Sequence, residues 1–91
     1  RTAFFQIGET KIELLESTTP DGVIAKFIDK KGEGLHHIAF EVDDISKSMQ
    51  TISPGFKILQ EHPKDGADNK LICFLHPKDT HGVLIELCQE K

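Results

Sequence analysis

The most constraining feature of the 91-residue chain is the order of patterns from Leu35 to its end. Between Leu35 and Val42 every residue except His36, His37 and Glu41 is apolar, as in a largely buried strand. Asp43 and Asp44 follow, and either carboxylate suits the free N–H groups at the start of a helix. Ile45, Met49 and Ile52 then recur at helical spacing, and Pro54-Gly55 ends that pattern. Phe56 to Glu61, Lys70 to Leu75 and Val83 to Cys88 read as strands, with residues 63–69 as a polar loop. Strand, helix, strand, strand, strand makes one complete unit.

The residues before Leu35 look like the end of a second such unit. Residues 3–7 and 10–16 are strand-like and joined by Gly8-Glu9, which predicts a hairpin. Pro20-Asp21-Gly22 punctuates the chain, and Val23, Ile24, Phe27 and Ile28 predict a helix over 22–31 that stops at Gly32 or Gly34. This order predicts a strand, a helix and another strand ahead of Arg1. The expected division is therefore 1–31, the end of a first βαβββ module with a connecting helix, and 32–91, a second module. The two would belong to one structural domain.

Composition narrows the partners. A 37% hydrophobic and 29% charged chain is an ordinary globular sequence. Its net charge of −4 and scattered basic residues argue against a nucleic-acid backbone as ligand. No apolar run approaches the roughly 20 residues that span a bilayer, so no membrane partner is expected. Cys73 and Cys88 lie in apolar strands and read as buried free thiols. They suit a reducing compartment such as the cytoplasm.

Strand alternation singles out three polar residues. In the first strand of the complete unit His37, Ala39 and Glu41 share a face, opposite His36, Ile38, Phe40 and Val42. In the last, Leu84, Glu86 and Cys88 oppose Val83, Ile85 and Leu87. In residues 11–16, Lys11, Glu13 and Leu15 oppose Ile12 and Leu14. Two readings follow. Glu13, His37 and Glu86 line a concave face and share a divalent ion, for which imidazole and carboxylate are suitable donors. Alternatively, each is a solvated or hydrogen-bonded residue on a half-exposed strand.

Three segments carry a family resemblance. Gly32-Glu33-Gly34-Leu35-His36-His37-Ile38-Ala39-Phe40-Glu41-Val42-Asp43-Asp44 resembles the signature of the methylmalonyl-CoA epimerases. So do Phe74-Leu75-His76-Pro77-Lys78 with Gly82-Val83-Leu84-Ile85-Glu86-Leu87, and the run from Gly8 to Leu15. The family is part of the vicinal-oxygen-chelate, or glyoxalase, superfamily. The resemblance implies an α+β fold of paired βαβββ modules, the first truncated here at its N-terminus, curling around a divalent metal. It places metal ligands at Glu13, His37 and Glu86, with a fourth, a histidine, upstream of Arg1. Cobalt is the ion it favours, with manganese, nickel or zinc as alternatives.

The reaction implied is interconversion of the (R) and (S) forms of methylmalonyl-CoA by removal and return of the α-proton, with Glu86 as a catalytic base. The second base has no clear counterpart, since the strand that carries it in some relatives offers only Thr2 or Ala3 here. The resemblance also implies an acyl-CoA substrate, with Lys78 as a contact for a CoA phosphate, and a homodimer. Glu41 is expected at the rim or on the surface, and His36 as a structural hydrogen-bonder directed away from His37. Rival readings on the same scaffold are a glyoxalase I-like lyase, a dioxygenase and a non-catalytic ligand-binding protein. These 91 residues alone are expected to be inactive.

Overall fold

A computed structural model describes all residues, 1–91, and divides the chain into two compact units, Arg1–Gly34 and Leu35–Lys91. In the first unit, β1 (Thr2–Ile7) and β2 (Thr10–Leu15) form an antiparallel hairpin in the register Thr2↔Leu15 to Ile7↔Thr10. The turn requires a positive φ at Gly8, +60°, which a residue without Cβ adopts freely. The register puts Ala3, Phe5 and Ile7 with Ile12 and Leu14 on one face of the ribbon. Helix α1 (Val23–Lys31) begins after Gly22, carries Lys30 and Lys31 in its last turn, and ends where the Gly32 N–H donates to the Ile28 carbonyl at φ +78°.

The second unit contains β3 (His37–Glu41), α2 (Ile45–Ile52), β4 (Lys64–Gly66), β5 (Lys70–Leu75), a short 3-10 turn at Pro77–Asp79 and β6 (Leu84–Glu90). The four strands form one sheet in the order β3-β6-β5-β4, parallel between β3 and β6 and antiparallel elsewhere. Two devices start α2. The Asp44 carboxylate accepts from the Lys47 N–H at 3.1 Å, and the Gln89 side-chain carbonyl accepts from the Ile45 N–H at 2.8 Å. Gln89 lies on β6, so this second bond ties the helix to the sheet.

The core lies between α2 and one sheet face. Ile45, Met49, Cys73 and Leu87 are buried there, with Val42, Ile52, Ile58 and Leu71 packed around them. This matches the expected helical stripe. No helix is long and apolar enough to cross a membrane.

One expected strand takes another form. Residues 56–61 make an isolated bridge, Ile58↔Leu75, together with bonds from the Leu59 N–H to the Phe74 carbonyl and from the His76 N–H to the Lys57 carbonyl. The Phe74 N–H is then taken by the Gln60 side chain at 2.8 Å, so a side-chain carbonyl replaces the ladder. Pro63 has no N–H to continue it. Pairing resumes at Lys64–Gly66, inside the segment expected to be a loop, and a tight turn through Asp68 and Asn69, both at φ +57°, leads into β5.

Candidate functional site

The register of β3 and β6 gathers the ionisable residues of the second unit. His37 pairs with Leu84, Ala39 with Glu86 and Glu41 with Cys88. Glu86 in turn faces Phe74 across β5. Ala39, Glu86 and Phe74 thus form a row across three strands, on the face opposite Leu87 and α2.

His37 Nε2 and Glu86 Oε1 lie 3.8 Å apart, with both side chains largely covered, 25% and 18% exposed. The other ring nitrogen of His37 is engaged, its Nδ1 lying 2.9 Å from Nδ1 of His36. One ring must donate along that contact and the other accept. When His37 donates through Nδ1, its Nε2 lone pair is turned to the Glu86 side, the arrangement in which an outer hydrogen bond orients a histidine ligand.

His36 is a hydrogen-bonding residue, as expected, but its partner is His37. The strand begins at His37, so His36 precedes it and escapes the alternation that pointed it away. The two rings instead meet edge to face, centroids 5.1 Å apart. Burial, and then the charge of His37, holds the His36 pKa below its ordinary value.

Glu13 lies on β2 of the first unit, opposite Phe4. Its carboxylate is 3.8 Å from the Lys11 ammonium, which also sits 4.8 Å from the centre of the Phe4 ring. Within neither unit do three His, Cys, Asp or Glu side chains converge. The structure therefore brings His37 and Glu86 together in the second unit, while Glu13 belongs to the first. The donors at hand fit a divalent ion. Metal–ligand bonds of about 2.0–2.2 Å to imidazole and carboxylate leave room for one ion between atoms 3.8 Å apart.

Glu41 is exposed and pairs with Lys70 at 3.6 Å, as expected of a rim residue. Lys78 is exposed on the Pro77–Asp79 turn, which His76 starts by accepting the Lys78 N–H at its Nδ1, 3.0 Å. The Asp79 carboxylate accepts from the Lys57 N–H. His81 and Gly82 leave the turn at φ +56° and +86°. Both thiols are buried and free, and burial pushes their pKa values up. Strand phase passed over Phe74, whose position across from Glu86 follows only from the β5–β6 register.

Comparison with known proteins gives the lineage. Residues 1–74 match the profile of the Glyoxalase/Bleomycin resistance protein/Dioxygenase superfamily. The chain is 44% identical over 90 residues to the uncharacterized protein YqjC of Bacillus subtilis, covering 98% of this chain and 64% of that one. It is 44% identical over 88 residues to human mitochondrial methylmalonyl-CoA epimerase, covering 94% and 50%. A solved methylmalonyl-CoA epimerase in complex with methylmalonyl-CoA and an ammonium ion superposes with a TM-score of 0.83 at 39% identity, covering 99% and 67%. The chain spans about half to two-thirds of the length of these proteins. With a second unit whose elements follow one another along the chain as in the expected βαβββ module, the chain belongs to the glyoxalase/bleomycin resistance protein/dioxygenase superfamily.

Proposed function

We propose that the chain carries most of the active site of a methylmalonyl-CoA epimerase, in which a divalent metal assists exchange of the α-proton between the two configurations. The observation that carries this reading is the His37–Glu86 pair on the face of the sheet opposite α2, in a chain 44% identical to the human enzyme of that name.

The reaction removes an α-proton from a carbon flanked by a thioester and an already negative carboxylate. Its difficulty is the further charge that develops on the oxygens. His37 and Glu86 would hold the ion, with Glu13 as a third ligand from the hairpin. When bound, the metal supplies Lewis-acid stabilisation of that charge. Glu86 has a second role as one of two acid–base groups on opposite faces of the α-carbon. It takes the proton from one face while a second group delivers a proton to the other, and in the reverse direction it is the donor. The contact between the two Nδ1 atoms fixes the His37 ring, so His36 serves as a positioning residue. Lys78, exposed on its turn, is suited to meet a CoA phosphate. We take residues 1–31 as the end of a first module and 32–91 as the second, and the full-length enzyme as a homodimer. By itself the 91-residue chain, with three ligands of the four the family uses, is expected to be inactive.

The test is incubation of the full-length protein with a single enantiomer of methylmalonyl-CoA. Loss of optical purity, with a time course that depends on protein concentration, is the result expected. Retention of the starting enantiomer at high enzyme and with added Co²⁺ would rule the reading out.

A further inference from the structure

We infer that Phe74 is the wall that limits the size of the substituent on the substrate's α-carbon. This rests on the epimerase reading above and adds to it a residue that sets which 2-alkylmalonyl thioesters are accepted.

The argument starts from the row Ala39, Glu86, Phe74 across β3, β6 and β5. Direct cross-strand partners carry their side chains on one face with Cβ atoms about 5 Å apart, so Phe74 flanks Glu86 throughout. His37 approaches Glu86 from β3, on the other side of β6. The polar oxygens of a substrate are therefore drawn to the His37 side. What remains on the carbon whose proton Glu86 handles is an alkyl group, directed away from His37 and toward β5. The side chain waiting there is an aromatic ring.

Three contacts fix the residue, two on its backbone and one on its ring. The Phe74 N–H is bonded to the Gln60 side chain at 2.8 Å, and its carbonyl accepts from the Leu59 N–H at 2.9 Å. From the β4 side the Lys64 ammonium sits 5.5 Å from the ring centre, close enough for attraction to the ring face. A ring on a backbone held at both its N–H and its carbonyl, and flanked on one face by Lys64, discriminates by size, because the substrate must give way before the strand does. Ala39, across β6, is too small to act in this way.

Each methylene that a pocket fails to fit changes relative rates by roughly 10- to 200-fold. The experiment compares kcat/KM for methylmalonyl-CoA and ethylmalonyl-CoA in full-length wild type, Phe74→Leu and Phe74→Ala. The wall predicts that the ethyl-to-methyl ratio rises at least tenfold in Phe74→Ala and by an intermediate amount in Phe74→Leu. Since the readout is a ratio within one preparation, a partly unfolded variant lowers both rates and leaves the ratio alone. Equal losses on both substrates would overturn the wall while leaving the epimerase reading intact. A wild type inactive on both would overturn the epimerase reading, and the wall with it.

Discussion

Ile45 is the residue on which the second unit turns, and replacing it by alanine tests the placement of the sheet's two faces. Its side chain is 1% exposed, packed with Met49, Cys73 and Leu87. Ile45→Ala removes three carbons. At about 0.8 kcal/mol for each buried carbon the transfer loss alone is about 2.4 kcal/mol. The cavity left among Met49, Cys73 and Leu87 adds to this, and buried isoleucines truncated to alanine cost roughly 2–5 kcal/mol in total. For a chain of this size each kcal/mol lowers the melting temperature by about 4–8 °C. A drop of about 10–20 °C from the transfer term alone, and more with the cavity, is therefore expected by circular dichroism, with a matching fall in the urea midpoint. Glu86 lies one residue from Leu87 on the opposite face, and glutamine keeps its shape and opens no cavity, so Glu86→Gln should cost less stability than Ile45→Ala. A mild effect of Ile45→Ala beside a severe one of Glu86→Gln would refute the assignment of the two faces.

Three further outcomes concern the thiols and the ion. Cys73 and Cys88 should resist a thiol reagent in the native protein and both react after denaturation, since they are 0% and 5% exposed. Their pKa values are raised on folding, chiefly by burial, so the unfolded state loses its thiol protons first. The stability in urea should accordingly decline as the pH rises past about 9 toward the folded values, and should not change for this reason below it. For the ion, titration of the full-length protein with Co²⁺ should give visible absorption bands. His37→Ala and Glu13→Gln should each weaken binding about tenfold or more, and unchanged binding in either would remove that residue from the ligand set.

The helices were legible because each had both a stripe and a boundary. Ile45, Met49 and Ile52 announced α2, and Asp44 with Pro54-Gly55 marked its ends. Strand phase correctly put His37 and Glu86 on one face, because alternation survives wherever a strand is regular. It failed where strands are irregular. Gln60 substitutes its side chain for the ladder at Phe74, an exchange that no hydrophobic pattern records. Alternation does not reach His36, which precedes the first residue of β3, so its hydrogen bonding was legible but its partner, His37, was not. The β5–β6 register, set by a pairing between distant segments, was also out of reach, and with it the place of Phe74 beside Glu86.

The central claim is that Glu86 carries the α-proton. It is tested most directly by deuterium uptake at the α-carbon of methylmalonyl-CoA in D₂O, comparing the full-length wild type with Glu86→Gln at saturating Co²⁺. Positioned general bases contribute roughly 10²–10⁴-fold, so the variant should take up deuterium at least a hundredfold more slowly than wild type. Uptake at the wild-type rate in Glu86→Gln would contradict the account.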